Sequence, residues 1–154
     1  MFVEDDAPLA PGIEANTLIY MVGAGAFSLE PGQMNFLNNY VRRGQGTLFL
    51  ESLDPAAENT FLEILKTIGM TPEPIQQDHT LLKSPFLFAL PSDGYETGGR
   101  PPVRVHEGLV FSTCNYGRLW QGERRDGMPS REQIRQAMEW GTNIVAYAAR
   151  RHFG

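Results

Sequence analysis

Residues 17–52 read TLIYMVGAGAFSLEPGQMNFLNNYVRRGQGTLFLES, and this stretch decides the fold class. Two continuous apolar runs, residues 17–22 and 47–50, contain β-branched and aromatic side chains. Such runs are typical of strands that are buried on both faces of a parallel sheet. Between them, residues 31–43 begin with a proline, carry one apolar face and precede a glycine, which predicts a helix. The order strand, helix, strand predicts a right-handed parallel crossover.

The same alternation continues along the chain. Asp54 and Pro55 predict the start of a second helix, as N-cap and first helical residue. Residues 109–113 predict a third buried strand, and Ser130 with Gln133 has the spacing of a capping box at the start of the last helix. The chain is therefore predicted to be an α/β domain, with a mostly parallel sheet between two layers of helices.

Three segments do not follow this alternation. Residues 1–16 are polar and contain two prolines, which predicts an N-terminal arm in front of a single domain, residues 17–154. Residues 71–107 contain several prolines and glycines and are predicted to be a long excursion with short strands. Residues 114–129 are predicted to be a loop.

The composition excludes several classes of protein. The chain has 154 residues, which fits one domain, and its 13 basic and 18 acidic residues give a formal net charge of −5. That balance argues against a general nucleic-acid binder, which has a basic excess. One cysteine excludes an internal disulfide, and the three histidines lack metal-ligand spacing, so neither a metal nor a cofactor is predicted.

The sequence also predicts a soluble chain. No apolar run approaches the roughly 18 residues of a membrane helix. Residues 1–6 lack the basic and apolar regions of a signal peptide. As written, the chain is therefore expected to be cytoplasmic and to have no membrane segment.

Five short motifs follow one another along these elements. They are Gly23-Ala24-Gly25, Glu51-Ser52, Asp78-His79-Thr80, Ser112-Thr113-Cys114-Asn115 and Gly141-Thr142-Asn143-Ile144-Val145-Ala146-Tyr147. In this order they resemble a bacterial family of unknown function called DUF4159. The resemblance extends over roughly residues 17–150. It implies a flavodoxin-like, three-layer α/β/α fold similar to class I glutamine amidotransferases, with a functional edge at the carboxyl ends of the strands, and it implies no known reaction.

The resemblance also bears on partners and location. Relatives in this family are often envelope-associated, and the first strand and helix that are usual in the family have no counterpart among the motifs. A missing first strand would leave an apolar sheet edge that pairs with a protein partner or with a second copy of the chain.

The nucleophile that amidotransferase chemistry requires, a cysteine on a sharp strand-to-helix elbow, is missing. After the second strand the chain reads ESLD (residues 51–54), without a Gly-x-Cys-x-Gly or Gly-x-Ser-x-Gly pattern, and Ser52 is interpreted as a turn residue. Cys114, just past the third strand, is a candidate nucleophile with His79 as its base. The alternative interpretation of Cys114 is a small buried core residue.

Further residues are expected at the carboxyl edge of the sheet, where open α/β sheets bind their ligands. Gly23 and Gly25 form an incomplete phosphate-loop pattern, for which a tight turn is the preferred interpretation. Asp78 could orient His79, or the pair could form a hydrogen-bonded turn. The predicted ligand-binding residues are Gly23, Gly25, Glu51, Ser52, Asp78, Asn115 and Trp120.

Two functional hypotheses of different classes follow. The first is a non-catalytic module on a degenerate amidotransferase-like fold, which binds a small polar ligand at the carboxyl edge, a protein partner or itself. The second is a hydrolase or transferase that uses Cys114 with His79, which requires the two side chains to lie within hydrogen-bond reach. The missing elbow favours the first hypothesis and leaves the question of an enzyme open.

Overall fold

The fold is built on a mixed five-stranded sheet. A computed structural model describes residues 17–92, Gly94, 103–121 and 130–153. The strands are β1 (Leu18–Gly23), β2 (Thr47–Ser52), β3 (Glu73–Pro74), β4 (Val103–His106) and β5 (Leu109–Ser112), and their order in the sheet is β1-β2-β5-β4-β3. The helices are α1 (Pro31–Arg42), α2 (Pro55–Thr67), α3 (Tyr116–Trp120) and α4 (Arg131–Phe153). The predicted arm, residues 1–16, lies outside the described part of the chain, as do 93 and 95–102 in the excursion and 122–129 in the loop.

The parallel half of the sheet contains the three strands that the apolar runs predict. β1 pairs with β2 and β2 pairs with β5, both in parallel. The other half differs from the expectation of a mostly parallel sheet, because β4 is antiparallel to β5 and β3 is antiparallel to β4. Only Glu107 and Gly108 separate β4 from β5, and so short a connection joins antiparallel strands only.

The helix starts confirm the capping signals in the sequence. Asp54 Oδ1 accepts a hydrogen bond from the backbone N–H of Ala57 at 2.8 Å, as expected of the residue before α2. Ser130 and Gln133 bond reciprocally at the start of α4, each through its side chain to the backbone N–H of the other. These caps satisfy backbone donors that the first turn of a helix cannot pair internally.

Two short helical turns lie where no helix was predicted. The described part of the predicted loop 114–129 contains α3, and that of the excursion contains a 3-10 turn, Thr80–Leu82. Both turns are too short to show an apolar period in the sequence. Leu81 in the 3-10 turn and Leu119 in α3 are fully buried, so contacts with distant elements hold both turns in place.

Helices cover both faces of the sheet, so the core has two halves. Alternate residues of the central strands point to opposite faces, Leu48 and Leu50 to one and Phe49 to the other. The first half packs these leucines against α1 and α2, through residues such as Tyr40 and Phe61. The second half packs Phe49 against α3, α4 and the 3-10 turn. The predicted layering of helices on both sides is therefore present.

Candidate functional site

The carboxyl ends of β1, β2 and β5 meet at one edge of the sheet, since the three strands are parallel neighbours. Gly23 pairs in register with Ser52, and Glu51 pairs with Ser112. Thr113, Cys114 and Asn115 follow β5 and lead into α3. Most of the residues that were predicted to share a site therefore lie at this edge.

The carboxylate of Glu51 is the centre of this edge. The residue is fully buried, and its two oxygens accept four hydrogen bonds. Oε1 accepts from the Tyr20 hydroxyl at 2.6 Å and from the backbone N–H of Gly117 at 3.0 Å. Oε2 accepts from the Ser112 hydroxyl at 3.0 Å and from the backbone N–H of Tyr116 at 2.7 Å. The carboxylate thus joins β1, β2, β5 and α3.

The donors around Glu51 are held in the correct protonation state and position. Burial, followed by the nearby Glu51 carboxylate, raises the pKa of Tyr20 well above its ordinary value, so the phenol remains a donor. Asn115, the residue before α3, has a left-handed φ of 55°, which turns the chain so that the first amides of α3 point at the carboxylate. Gly117 fits because a Cβ there would lie 2.5 Å from the Tyr20 hydroxyl oxygen.

Cys114 lies beside this network but is enclosed. Its backbone N–H donates to Ser112 Oγ at 3.0 Å, and its side chain is fully buried. A Cβ on Gly94 would overlap Cys114, so the backbone at Gly94 packs directly on it. Burial, above all, raises the pKa of the thiol, which favours the less nucleophilic protonated form.

His79 lies in another part of the fold. Its Nδ1 accepts from the backbone N–H of Leu81 at 3.1 Å, so it caps the 3-10 turn, and its ring is 5.6 Å from that of Tyr147. The Tyr147 hydroxyl in turn accepts from Gly108, at the amino end of β5, whereas Cys114 follows the carboxyl end. Burial lowers the pKa of His79, and the exposed Asp78 opposes that shift.

The two glycines of the incomplete phosphate loop have structural partners. Gly25 has a φ of +69°, and its N–H donates to Asp54 Oδ2 at 2.6 Å. Because Asp54 also caps α2, this one carboxylate ties the loop after β1 to the helix. A Cβ on Gly23 would lie 2.9 Å from both the Phe27 and Phe61 rings, so close packing requires a glycine there.

Ser52 and Trp120 complete the set of predicted residues. Ser52 is fully buried, and its hydroxyl oxygen has no hydrogen-bond partner among the described residues. Trp120, at the end of α3, donates from Nε1 to the Ala137 carbonyl at 2.7 Å and lies against the ring of Tyr20, with centroids 5.7 Å apart. The indole is therefore anchored to α4 and remains partly exposed.

The sequence patterns did not identify the donors around Glu51, namely Tyr20, Ser112, Tyr116 and Gly117. The available signal was Glu51 itself, a carboxylate in a strand whose six residues are all buried. A buried carboxylate needs several hydrogen-bond donors, so the sequence required them without showing which residues they are.

The described part of the chain contains neither a cluster of metal-binding side chains nor a membrane-spanning helix. No three His, Cys, Asp or Glu side chains come together there in a way that could hold a metal ion. In the same ranges, no helix combines the length and apolarity needed to cross a bilayer.

β1 forms one edge of the sheet, and its outer side has no paired strand within the ranges that the structure describes. The carbonyls of Thr17 and Gly23 accept from β2 and the residue after it. Backbone groups alternate along a strand, so those of Leu18, Tyr20 and Val22 point outward. Tyr20 and Val22 are also 40% and 49% exposed. We call Leu18, Tyr20 and Val22 the β1 edge.

The comparison with known protein families agrees with the motifs. The sequence model of a domain of unknown function, DUF4159, matches residues 8–149. The chain belongs to the DUF4159 family. The match includes β1, the Glu51 network and most of α4, so these features lie within the DUF4159 domain. No curated protein matches the chain.

Proposed function

We propose that this DUF4159 domain is a non-catalytic interaction module, which binds an extended segment of a partner protein along the β1 edge. The observation that carries the proposal is the sequence of the edge strand, LIYMVG, which contains no charged residue and no proline. Edge strands without such features pair readily with another strand. Backbone hydrogen bonds would supply affinity, and alternate apolar side chains of the segment would lie beside Tyr20 and Val22.

The carboxyl edge supports a structural role better than a catalytic one. All four hydrogen bonds to Glu51 come from within the domain, and Gly25 N–H is bound to Asp54. Cys114 is buried, with a raised thiol pKa. For these reasons binding of a polypeptide at β1 is preferred to binding of a small polar ligand at the carboxyl edge, and to a hydrolase or transferase that uses Cys114 with His79.

We further propose that the domain is a reduced, flavodoxin-like relative of class I glutamine amidotransferases. Support comes from the strand-helix-strand unit β1-α1-β2 and from the helices on both faces of the sheet. In this proposal the elbow after β2, which carries the nucleophile in those enzymes, carries Glu51 and Ser52 instead. Ser52 is enclosed in the core, and Glu51 binds the start of α3.

The test uses a photo-crosslinking amino acid at Val22 in cells that contain the natural partners. The control is the same amino acid at Glu63, which is exposed on α2, on the side of the sheet away from α4. The proposal predicts a partner peptide that is cross-linked from position 22 and not from position 63. Crosslinks that are the same from both positions, or none from position 22, would contradict it.

The cross-linked segment is then synthesised, and its binding to purified domain is measured by calorimetry. A Val22→Lys substitution places a charge at the edge and is expected to weaken binding at least about tenfold, because the ammonium must be desolvated. Glu63→Lys is the matched control and should leave affinity unchanged. Equal affinity for the wild-type and Val22→Lys domains would refute the proposed site.

A further inference from the structure

A second apolar surface lies on the excursion, between the 3-10 turn and β4. Its residues are Phe86, Leu87 and Leu90, which are 38%, 83% and 70% exposed, and we call them the excursion tip. Scattered single apolar residues are common on surfaces, but two largely exposed leucines and a phenylalanine within five positions are not scattered.

The backbone beneath the tip is firmly held by α4. Asn143 is fully buried; its Oδ1 accepts from Phe86 N–H at 3.0 Å, and its Nδ2 donates to the carbonyls of Leu81 and Phe86, both at 2.8 Å. The ring of Phe88 packs against Trp140, with centroids 5.2 Å apart. With its neighbours fixed in this way, Leu87 is presented to solvent by a rigid support.

Cationic side chains lie at the base of the tip. Lys83 is exposed three residues before Phe86, and exposed Arg150 reaches Ser84 Oγ with Nη1 at 3.5 Å. The carboxylate of Glu139, one turn before Asn143 on α4, is paired with Arg135 at 2.8 Å. The tip therefore combines protruding apolar side chains with two cations beside them.

We propose that the excursion tip binds the surface of an anionic lipid bilayer. Leu87 and Leu90 would enter the boundary between headgroups and acyl chains, while Lys83 and Arg150 would contact anionic headgroups. A lipid surface is favoured over a protein partner because both leucines are largely exposed, and because a bilayer matches both the apolar tip and its cationic base. This surface shares no residue with the β1 edge, so neither proposal depends on the other.

The test is co-sedimentation of the purified domain with vesicles of phosphatidylcholine alone or mixed with phosphatidylglycerol. Binding is expected only to the mixed vesicles and should weaken in high salt. The double substitution Leu87→Ser and Leu90→Ser should reduce partitioning at least about tenfold, through lost apolar burial. Both side chains are exposed, so the fold should be kept, which circular dichroism checks.

The charge contribution is tested with a matched pair of variants. Replacing Lys83 and Arg150 by Gln should lower partitioning about fivefold per charge. Replacing Arg42 and Arg43 by Gln removes the same charge at the end of α1, on the other face of the sheet, and should have little effect. Absence of binding to the mixed vesicles, as expected if the tip binds a protein instead, would overturn the proposal. Binding that survives the leucine substitutions would also overturn it.

Discussion

The backbone N–H of Tyr116 donates to Glu51 Oε2 at 2.7 Å, although the two residues are 65 positions apart in the sequence. Glu51 lies in the second strand of the sheet, and Tyr116 opens the short helix α3. Because the same carboxylate also accepts from Tyr20 and Ser112, it links the parallel strands to the segment that follows β5. Glu51 thus has a structural role at the carboxyl edge, where open α/β sheets in general bind their ligands.

Replacing Glu51 should destabilise the fold strongly. Glu51→Ala leaves four donors in a buried space without their acceptor, and we expect the free energy of unfolding to fall by about 3 kcal/mol or more. Glu51→Gln keeps the shape and one oxygen, and should cost about 1–2 kcal/mol. Urea unfolding measures both values, with Glu63→Ala on α2 as the exposed control. A Glu51→Ala loss below about 0.5 kcal/mol would show that the network contributes little.

Cys114 should react slowly with alkylating reagents. Its thiol is buried and its pKa is raised, so the thiolate is scarce and the reagent cannot reach it until the chain opens. We expect the rate to follow unfolding, so a His79→Ala variant should change it only as far as it changes stability and should leave its dependence on pH unaltered. The measurement is the alkylation rate against pH in the native state and in urea. Rapid native alkylation with a midpoint below the ordinary thiol pKa of about 8.5, lost in the variant, would support the hydrolase or transferase hypothesis instead.

Gly46 and Gly32 should respond in opposite ways to alanine. A Cβ on Gly46 would overlap the ring of Tyr40, whose hydroxyl is hydrogen-bonded to Thr47, so Gly46→Ala should cost about 1–3 kcal/mol. Gly32 lies in α1 with no atom within 4 Å of an added Cβ, so Gly32→Ala should be neutral or gain about 0.5–1 kcal/mol. Thermal unfolding of the two variants compares them directly, and equal effects would contradict the packing at Gly46.

His79 should make stability depend on pH below neutrality. Because burial lowers its pKa in the folded state, the unfolded chain binds the proton more readily. The contribution of neutral His79 is therefore present above the unfolded pKa of about 6.5 and is lost as pH falls through the folded pKa. Protonation also removes the Nδ1 acceptor used by Leu81.

The measurement for His79 is the unfolding free energy of the wild-type and His79→Gln domains between pH 5 and pH 8. As the pH falls, the unfolding free energy of the wild type should decrease relative to that of the variant. The contributions of the other titrating groups are the same in both domains and cancel. A difference that is constant over this range would mean that His79 has the same pKa in both states.

Local signals made much of the fold predictable. The apolar runs gave β1, β2 and β5, and Asp54 with Pro55 gave the start of α2, because a strand buried on both faces and an N-cap each leave a mark on a few adjacent residues. The excursion was less predictable. β3 and β4 are short. A tight turn at Gly108 determines the pairing of β4 with β5, whereas β3 pairs with β4 from a distant part of the sequence.

The sequence predicted where the candidate site would lie, but not which residues would surround Glu51. Glu51 and Cys114 were expected at the carboxyl edge from their positions after strands, and they lie there. The partners of Glu51 come from three other elements, which no local pattern connects. His79 lies within the excursion, whose course depends on packing against α4. The distance between His79 and Cys114 could therefore not be predicted from the sequence.

Hydrogen exchange of the backbone amides shows whether the β1 edge is open to receive a strand. In the isolated domain, the outward N–H groups of Leu18, Tyr20 and Val22 should exchange quickly, whereas those of Ile19 and Met21, which point to β2, should be protected. Equal protection of both sets would mean that the edge is already occupied and would refute the proposed binding of a strand there.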